Sequence, residues 1–176
     1  MKQDADVPKP IRLFVRYVDR LNHAVGRFAM LLFFVLAGVL LWSTFSRLAF
    51  RIPINWALEM SQFLLSAFYL LGGAYSLQLG AHVRMDLFYS RLSARQRATT
   101  DAMTVLFVLF YLGVLLFGGI SSTGYAIEYG QKNYTAWSPP LWPIKVVMTI
   151  GIFLMLLQFI SNFFKDLAEA LGRPMA

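Results

Sequence analysis

The chain has 176 residues, 58% of them hydrophobic and 14% charged, with a formal net charge of +7 and no cysteine. An ordinary soluble domain carries about 25% charged residues, so the composition argues against one. The missing cysteine excludes disulfides, thiolate metal sites and redox thiols.

Residues 28–46, 60–81, 102–127 and 146–164 contain no Asp, Glu, Lys or Arg, in runs of 19, 22, 26 and 19 residues. About 20 apolar residues suffice for a helix to cross a bilayer. Buried helices of a soluble bundle would keep a polar face, whereas Phe28 to Leu36 is apolar all round. A cleaved signal peptide is a poor fit to the first run, which is too long and lacks a small-residue cleavage site. The expected fold is therefore all-α, an integral membrane protein with four transmembrane helices. Its expected parts are a flexible tail at 1–10, an amphipathic interfacial helix at 11–26, a four-helix transmembrane domain at 27–165 and a cytoplasmic tail at 166–176.

In chain order, Pro8 and Pro10 mark a helix start. From there Ile11, Phe14, Val15, Val18, Leu21, Val25 and Phe28 share one helical face, with Arg12, Arg16, Asp19, Arg20, His23 and Arg27 opposite. This pattern predicts a helix lying in the membrane interface, followed by a turn at Gly26 into the first span. The first connection, around Arg47 to Asn55, is short and contains Pro53, which makes the first two spans antiparallel neighbours. Trp56 and Glu59 open the second helix one turn apart on a common face. Glu59 is either an intramembrane proton or cation site or an interfacial carboxylate paired with Arg51 or Arg47.

Small residues thin two helices at mid-span, including Gly72 and Gly73 in the second and Gly113, Gly118, Gly119 and Gly124 in the third. Such surfaces let helices approach closely in lipid. The second span closes in His82, Val83, Arg84, Met85 and Asp86, where Asp86 is positioned to cap a short helix through Arg91. Ser93 to Gln96 fits a capping box that opens a third helix over about residues 94–128, roughly 50 Å long. The connection to the fourth span carries Tyr134, Trp137, Pro139, Pro140, Trp142 and Pro143, and its prolines predict a stiff, extended loop. Its aromatics either contact an extracytoplasmic partner or anchor the loop at the interface.

Of the 16 Lys and Arg residues, only Arg47, Arg51, Lys132 and Lys145 fall on the side that holds the first and third connections. The positive-inside rule then places both termini in the cytoplasm. Trp42, Trp56, Trp137 and Trp142 all sit near the outer ends of spans, as an aromatic belt would. The basic charge matches anionic membrane lipid and gives no reason to invoke nucleic acid. His23 and His82 are the only histidines, and neither lies in a cluster with metal-ligand spacing. The chain is thus read as a non-enzymatic component without a cofactor of its own.

Trp56 and Glu59 at the start of the second helix, Gly72-Gly73-Ala74 within it and His82-Val83-Arg84-Met85-Asp86 at its end resemble the small membrane subunit of tripartite ATP-independent periplasmic (TRAP) transporters. The resemblance covers roughly residues 25–165. The segment from Tyr129 to Lys145 looks like a branch of that family associated with organic acids. The resemblance implies a periplasmic solute-binding protein and a large membrane subunit holding the solute and sodium sites, with the small subunit enlarging a stationary scaffold in the bacterial inner membrane. Trp56, Glu59, Gly72, Gly73, His82, Arg84 and Asp86 become candidate interface or structural residues. Tyr134, Trp137, Pro139, Pro140 and Trp142 become a candidate surface for the periplasmic partner. Two other classes compete: an independent proton-coupled transporter acting as a homodimer through Glu59, and a haem-bearing membrane anchor. Glu59 lies near a helix end, and the two histidines flank spans where a buried haem would need them inside.

Overall fold

The computed structural model describes residues 8–79 and 94–170. Four helices follow in order: α1 (Lys9–Phe50), α2 (Asn55–Gln78), α3 (Ala94–Glu128) and α4 (Trp142–Ala170). Among the described residues three stretches are long and apolar enough to cross a membrane, Lys9–Phe50, Thr104–Glu128 and Trp142–Lys165. α2 is the most polar of the four predicted spans, since Ser61, Gln62, Ser66, Tyr69, Tyr75, Ser76 and Gln78 interrupt its leucines.

α1 starts where Pro8 and Pro10 permit, because the first turn leaves its N–H groups unpaired in any case. It ends at Arg51, which adopts a left-handed conformation (φ 54°). Ser46 closes this turn from both sides. Its carbonyl accepts from the Ile52 N–H at 3.4 Å, and its hydroxyl donates to the Ile52 carbonyl at 3.2 Å. Pro53 then prevents the helix from resuming in the same direction. α3 begins at Ala94 and ends at Glu128, the limits predicted from the capping box and the charge-free run. Ser93 itself lies outside the described residues.

The predicted turn at Gly26 is not present: α1 is one unbroken helix of 42 residues. Gly26 serves a different purpose. A Cβ at that position would overlap the ring of Tyr75 on α2, so the glycine admits an aromatic side chain against the α1 backbone. The amphipathic stretch also differs from an isolated interfacial helix. Val15 and Val18 are buried, Leu21 and Val25 pack on the core, and Phe14 meets Phe164 edge-on at 6.4 Å. α4, which continues to Ala170, meets this apolar face at Phe164.

Pair contacts set the directions. α1 and α2 meet at Phe33 with Phe68 and at His23 with Tyr75, an antiparallel register. α2 and α4 meet at Leu70 with Gly151 and Gly73 with Met155, which is parallel. α3 lies antiparallel on α4, with Gly119 against Thr149 and Ser122 against Lys145. The start of α1, the end of α2 and the end of α4 therefore share one end of the bundle, called here the terminal end. The connections at 51–54 and 129–141 share the opposite, loop end. α1, α2 and α4 form a mutually packed triangle, and α3 packs on α4 at its edge. Ala29, Leu71, Ala74 and Leu154 form the core where the three central helices converge.

Candidate functional site

The densest side-chain chemistry among the described residues is a polar network at the terminal end, linking α1, α2 and α4. Asp19 and Lys165 form an ion pair at 2.7 Å. An ionised carboxylate can only accept, so the Gln158 amide turns its Nε2 toward Asp19 Oδ1 (3.0 Å) and toward Asn162 Oδ1 (3.0 Å). Gln158 Oε1 is left to accept, and Asn22 Nδ2 donates to it at 2.6 Å. Asn162 Nδ2 then donates to the Leu77 carbonyl at 3.1 Å, and Gln78 Nε2 to the Asp19 carbonyl at 3.1 Å. One carboxylate thus fixes the direction of a chain of amides. Gln158, Asn22 and Ser161 are fully buried, where an amide of the wrong polarity would be costly. A shallow cleft of about 640 Å³ opens beside the network, lined by Asp19, Arg20, His23, Ala24, Arg27 and Gln78.

Sequence reasoning placed Asp19 and His23 on a solvated face and gave no role to Asn22, Gln158 or Asn162. The available signal was Gln158 and Asn162, one turn apart inside an otherwise apolar run. A polar pair at that spacing shares one helix face. Its complement on α1 lies 136 residues away, and only the fold brings the two together. His23 packs edge-on against Tyr75 at 5.4 Å.

The central helices are also closed by small residues. A Cβ on Gly151 would lie 2.9 Å from Leu70 Cβ and 3.0 Å from its backbone carbonyl, so α4 and α2 touch backbone to backbone there. The two candidate glycines of α2 separate. Gly73 faces Met155, whose sulfur would lie 3.0 Å from an added Cβ, whereas Gly72 has nothing within 4 Å. On α3 the same contrast holds between Gly119, which faces Thr149, and Gly113, Gly118 and Gly124, which face open space.

At the loop end, Glu59 is buried (5% exposed), and its Oε2 has no hydrogen-bond partner among the described residues. Arg47 and Arg51 are exposed and form no ion pair with it, so the predicted pairing does not occur. The α2–α4 register, continued toward the loop end, puts Glu59 level with the start of α4. Free N–H groups and the positive end of a helix dipole favour a carboxylate at such a place. Trp56, one turn earlier, is 39% exposed. His82, Arg84 and Asp86 lie outside the described residues.

The connection before α4 folds back on itself where an extended segment was predicted. Asn133 N–H donates to the Pro139 carbonyl at 3.0 Å, and Leu141 N–H to the Gln131 carbonyl at 2.9 Å. Lys132 and Pro140 form an antiparallel bridge between these bonds. The prolines lack donors but still accept, which suffices to close a short hairpin. Gly130 (φ 55°) and Ser138 (φ 49°) take the left-handed conformations that reverse the chain. Lys145 Nζ ties the hairpin to α4 through Gln131 Oε1 at 2.8 Å. Pro139 is buried, Pro140 is exposed, and Tyr134 projects fully from the tip, flanked by Trp137 and Trp142.

A search of curated proteins finds no match. Residues 36–169, which take in the last third of α1, all of α2, α3 and the outer hairpin and nearly all of α4, match the family described as tripartite ATP-independent periplasmic transporters, DctQ component. With three-quarters of its length so matched, this membrane-spanning chain belongs to the DctQ family, the small membrane subunit of TRAP transporters.

Proposed function

We propose that the chain is the stationary scaffold of a TRAP-type secondary transporter in the bacterial inner membrane. The observation that carries this reading is the locked triangle of α1, α2 and α4. A network anchored on Asp19 and Gln158 joins all three helices, and the Gly151–Leu70 contact leaves no room for sliding between two of them. A body held at several points suits a part against which another part moves. In this reading a periplasmic binding protein delivers an organic acid. The large membrane subunit binds solute and sodium and carries out the transport motion.

α2 crosses the membrane with the other three helices in this arrangement. Its 24 residues span about 36 Å, and it runs antiparallel beside α1 at the level of Phe33 and Phe68. The charge bias puts the terminal end in the cytoplasm, where Arg20 and Arg27 at the cleft meet anionic lipid headgroups. The outer hairpin then faces the periplasm, with Tyr134, Trp137 and Trp142 offered to the binding protein.

The test is uptake in cells that lack the system. Expression of this chain alone is expected to give none, whereas co-expression with a large subunit and a binding protein gives sodium-dependent accumulation of an organic acid. Transport by the purified chain in vesicles would overturn the scaffold reading.

A further inference from the structure

α2 meets α1 through Phe68 and Tyr75 and α4 through Leu70, Gly73 and Leu77. At 100° per residue its remaining side carries Leu58, Gln62, Leu65, Tyr69, Gly72 and Ser76 in one stripe. Leu58 is 69% exposed and Tyr69 66%. Gln62 is exposed as well, and Gly72 opens onto empty space. Neither the Gln62 amide nor the Tyr69 hydroxyl has a hydrogen-bond partner among the described residues. Tyr69 lies about 10 Å deeper along the helix than Gln62, too far from the helix start for its hydroxyl to share the same interface.

We propose that this stripe is the contact face for a transmembrane helix of the large membrane subunit, one that places hydrogen-bonding side chains opposite Gln62 and Tyr69 and its backbone close to Gly72. The proposal rests on the scaffold reading above. Acyl chains are the wrong occupant, because hydrocarbon offers nothing to an amide or a phenol. The outward side of α1 shows what a lipid-facing surface of this chain looks like. Phe28, Leu31, Phe34, Val35 and Leu41 are exposed there, and Thr44 satisfies itself by donating to the Leu40 carbonyl at 2.8 Å. One stripe of α3 is likewise large and apolar, with Phe107, Phe110, Val114 and Phe117 exposed, while its Tyr111 and its open glycines Gly113, Gly118 and Gly124 lie to either side of that stripe. The α2 stripe instead combines unpaired polar groups with a glycine gap, the two features by which membrane helices hold one another. Membership of a tripartite system supplies a second membrane component as the occupant, in preference to another copy of this chain.

The proposal is tested by photo-crosslinking in membranes that contain both subunits, with p-benzoylphenylalanine at position 65 or 69 on the stripe, 34 on α1 or 117 on α3. Positions 65 and 69 are expected to yield an adduct with the mass of the two subunits together, at least about tenfold above the yield from 34 and 117. Three outcomes overturn the assignment while leaving the scaffold reading intact: subunit adducts from 34 or 117 but not from the stripe, stripe adducts with lipid alone, or stripe adducts of twice this chain's mass alongside normal co-purification. Failure of the two unmodified subunits to co-purify removes the scaffold reading, and the proposal with it. The pair Gln62→Leu and Tyr69→Phe supplies a second readout. Losing two interhelical hydrogen bonds should weaken subunit association about fivefold to tenfold, with thermal unfolding of the isolated chain unchanged. Undiminished association of this variant would refute the proposal.

Discussion

Replacing Gln158 with leucine tests whether the amide network holds the central helices together. The substitution keeps the side-chain volume close and removes three hydrogen bonds, to Asn22, Asp19 and Asn162. Two of these cross between helices, at an average of about 0.6 kcal/mol each in membrane proteins, and the Gln158–Asn162 bond within α4 adds up to about 0.5 kcal/mol, so the direct loss is about 2 kcal/mol. Asn22 then stands fully buried with its Nδ2 orphaned beside an Oδ1 that already lacks a partner. Leaving a buried donor unpaired costs about 1 kcal/mol more. The expected destabilisation is about 3 kcal/mol, more than a hundredfold in the folded-to-unfolded ratio. Unfolding of the purified chain in mixed micelles, titrated with a denaturing detergent and followed by tryptophan fluorescence, measures it. The four tryptophans lie at the loop end, far from the substitution, and so report loss of the whole bundle. Adding Asn22→Leu should recover part of the loss, since two apolar groups leave no orphan. A loss below about 0.5 kcal/mol, or two substitutions that simply add, would show that the network is incidental to the fold.

Gly151→Val forces a branched side chain onto the Leu70 backbone, and the overpacking should cost about 1–3 kcal/mol in the same titration. Gly72→Ala, with nothing within 4 Å of the added methyl, should leave the isolated chain's stability unmoved or raised by up to about 1 kcal/mol of helix propensity, and equal losses at Gly151 and Gly72 would refute the distinction between them. For α1, amide hydrogen exchange should show continuous protection from about Val18 through Leu36, since the helix does not turn at Gly26. A gap of fast exchange at Arg27 and Phe28 would restore the hinge.

The four helices were legible because charge is expelled from hydrocarbon: the run from 102 to 127 stops at Glu128, and so does α3. The start of α1 followed from Pro8 and Pro10, whose missing donors act locally, whereas its end, expected near Arg47 where charge returns, falls at Phe50. Gly26 misled for a related reason. A glycine within a helical pattern reads as a break or as a close approach, and only the position of Tyr75 decides between them. The network was hidden because its members are Asp19 and Asn22, Leu77 and Gln78, and Gln158, Asn162 and Lys165, three short groups of which none is unusual alone. Glu59 lies near the start of its helix, as the charge-free run that follows it predicts. Its predicted arginine partners were not the answer, since they extend outward while the acid turns into the bundle. The outer prolines were read for the donors they lack, and the carbonyls that close the hairpin were overlooked.

Because α1 has no joint along its 42 residues, it behaves mechanically as a strut of about 63 Å. Its uncharged part occupies 19 of those residues, so much of the strut stands outside the bilayer, braced by α4 through Phe14 and Phe164. Two spectroscopic labels near those ends are therefore expected to hold one separation whether the chain stands alone or is assembled with other subunits, a fixed ruler built into a single helix.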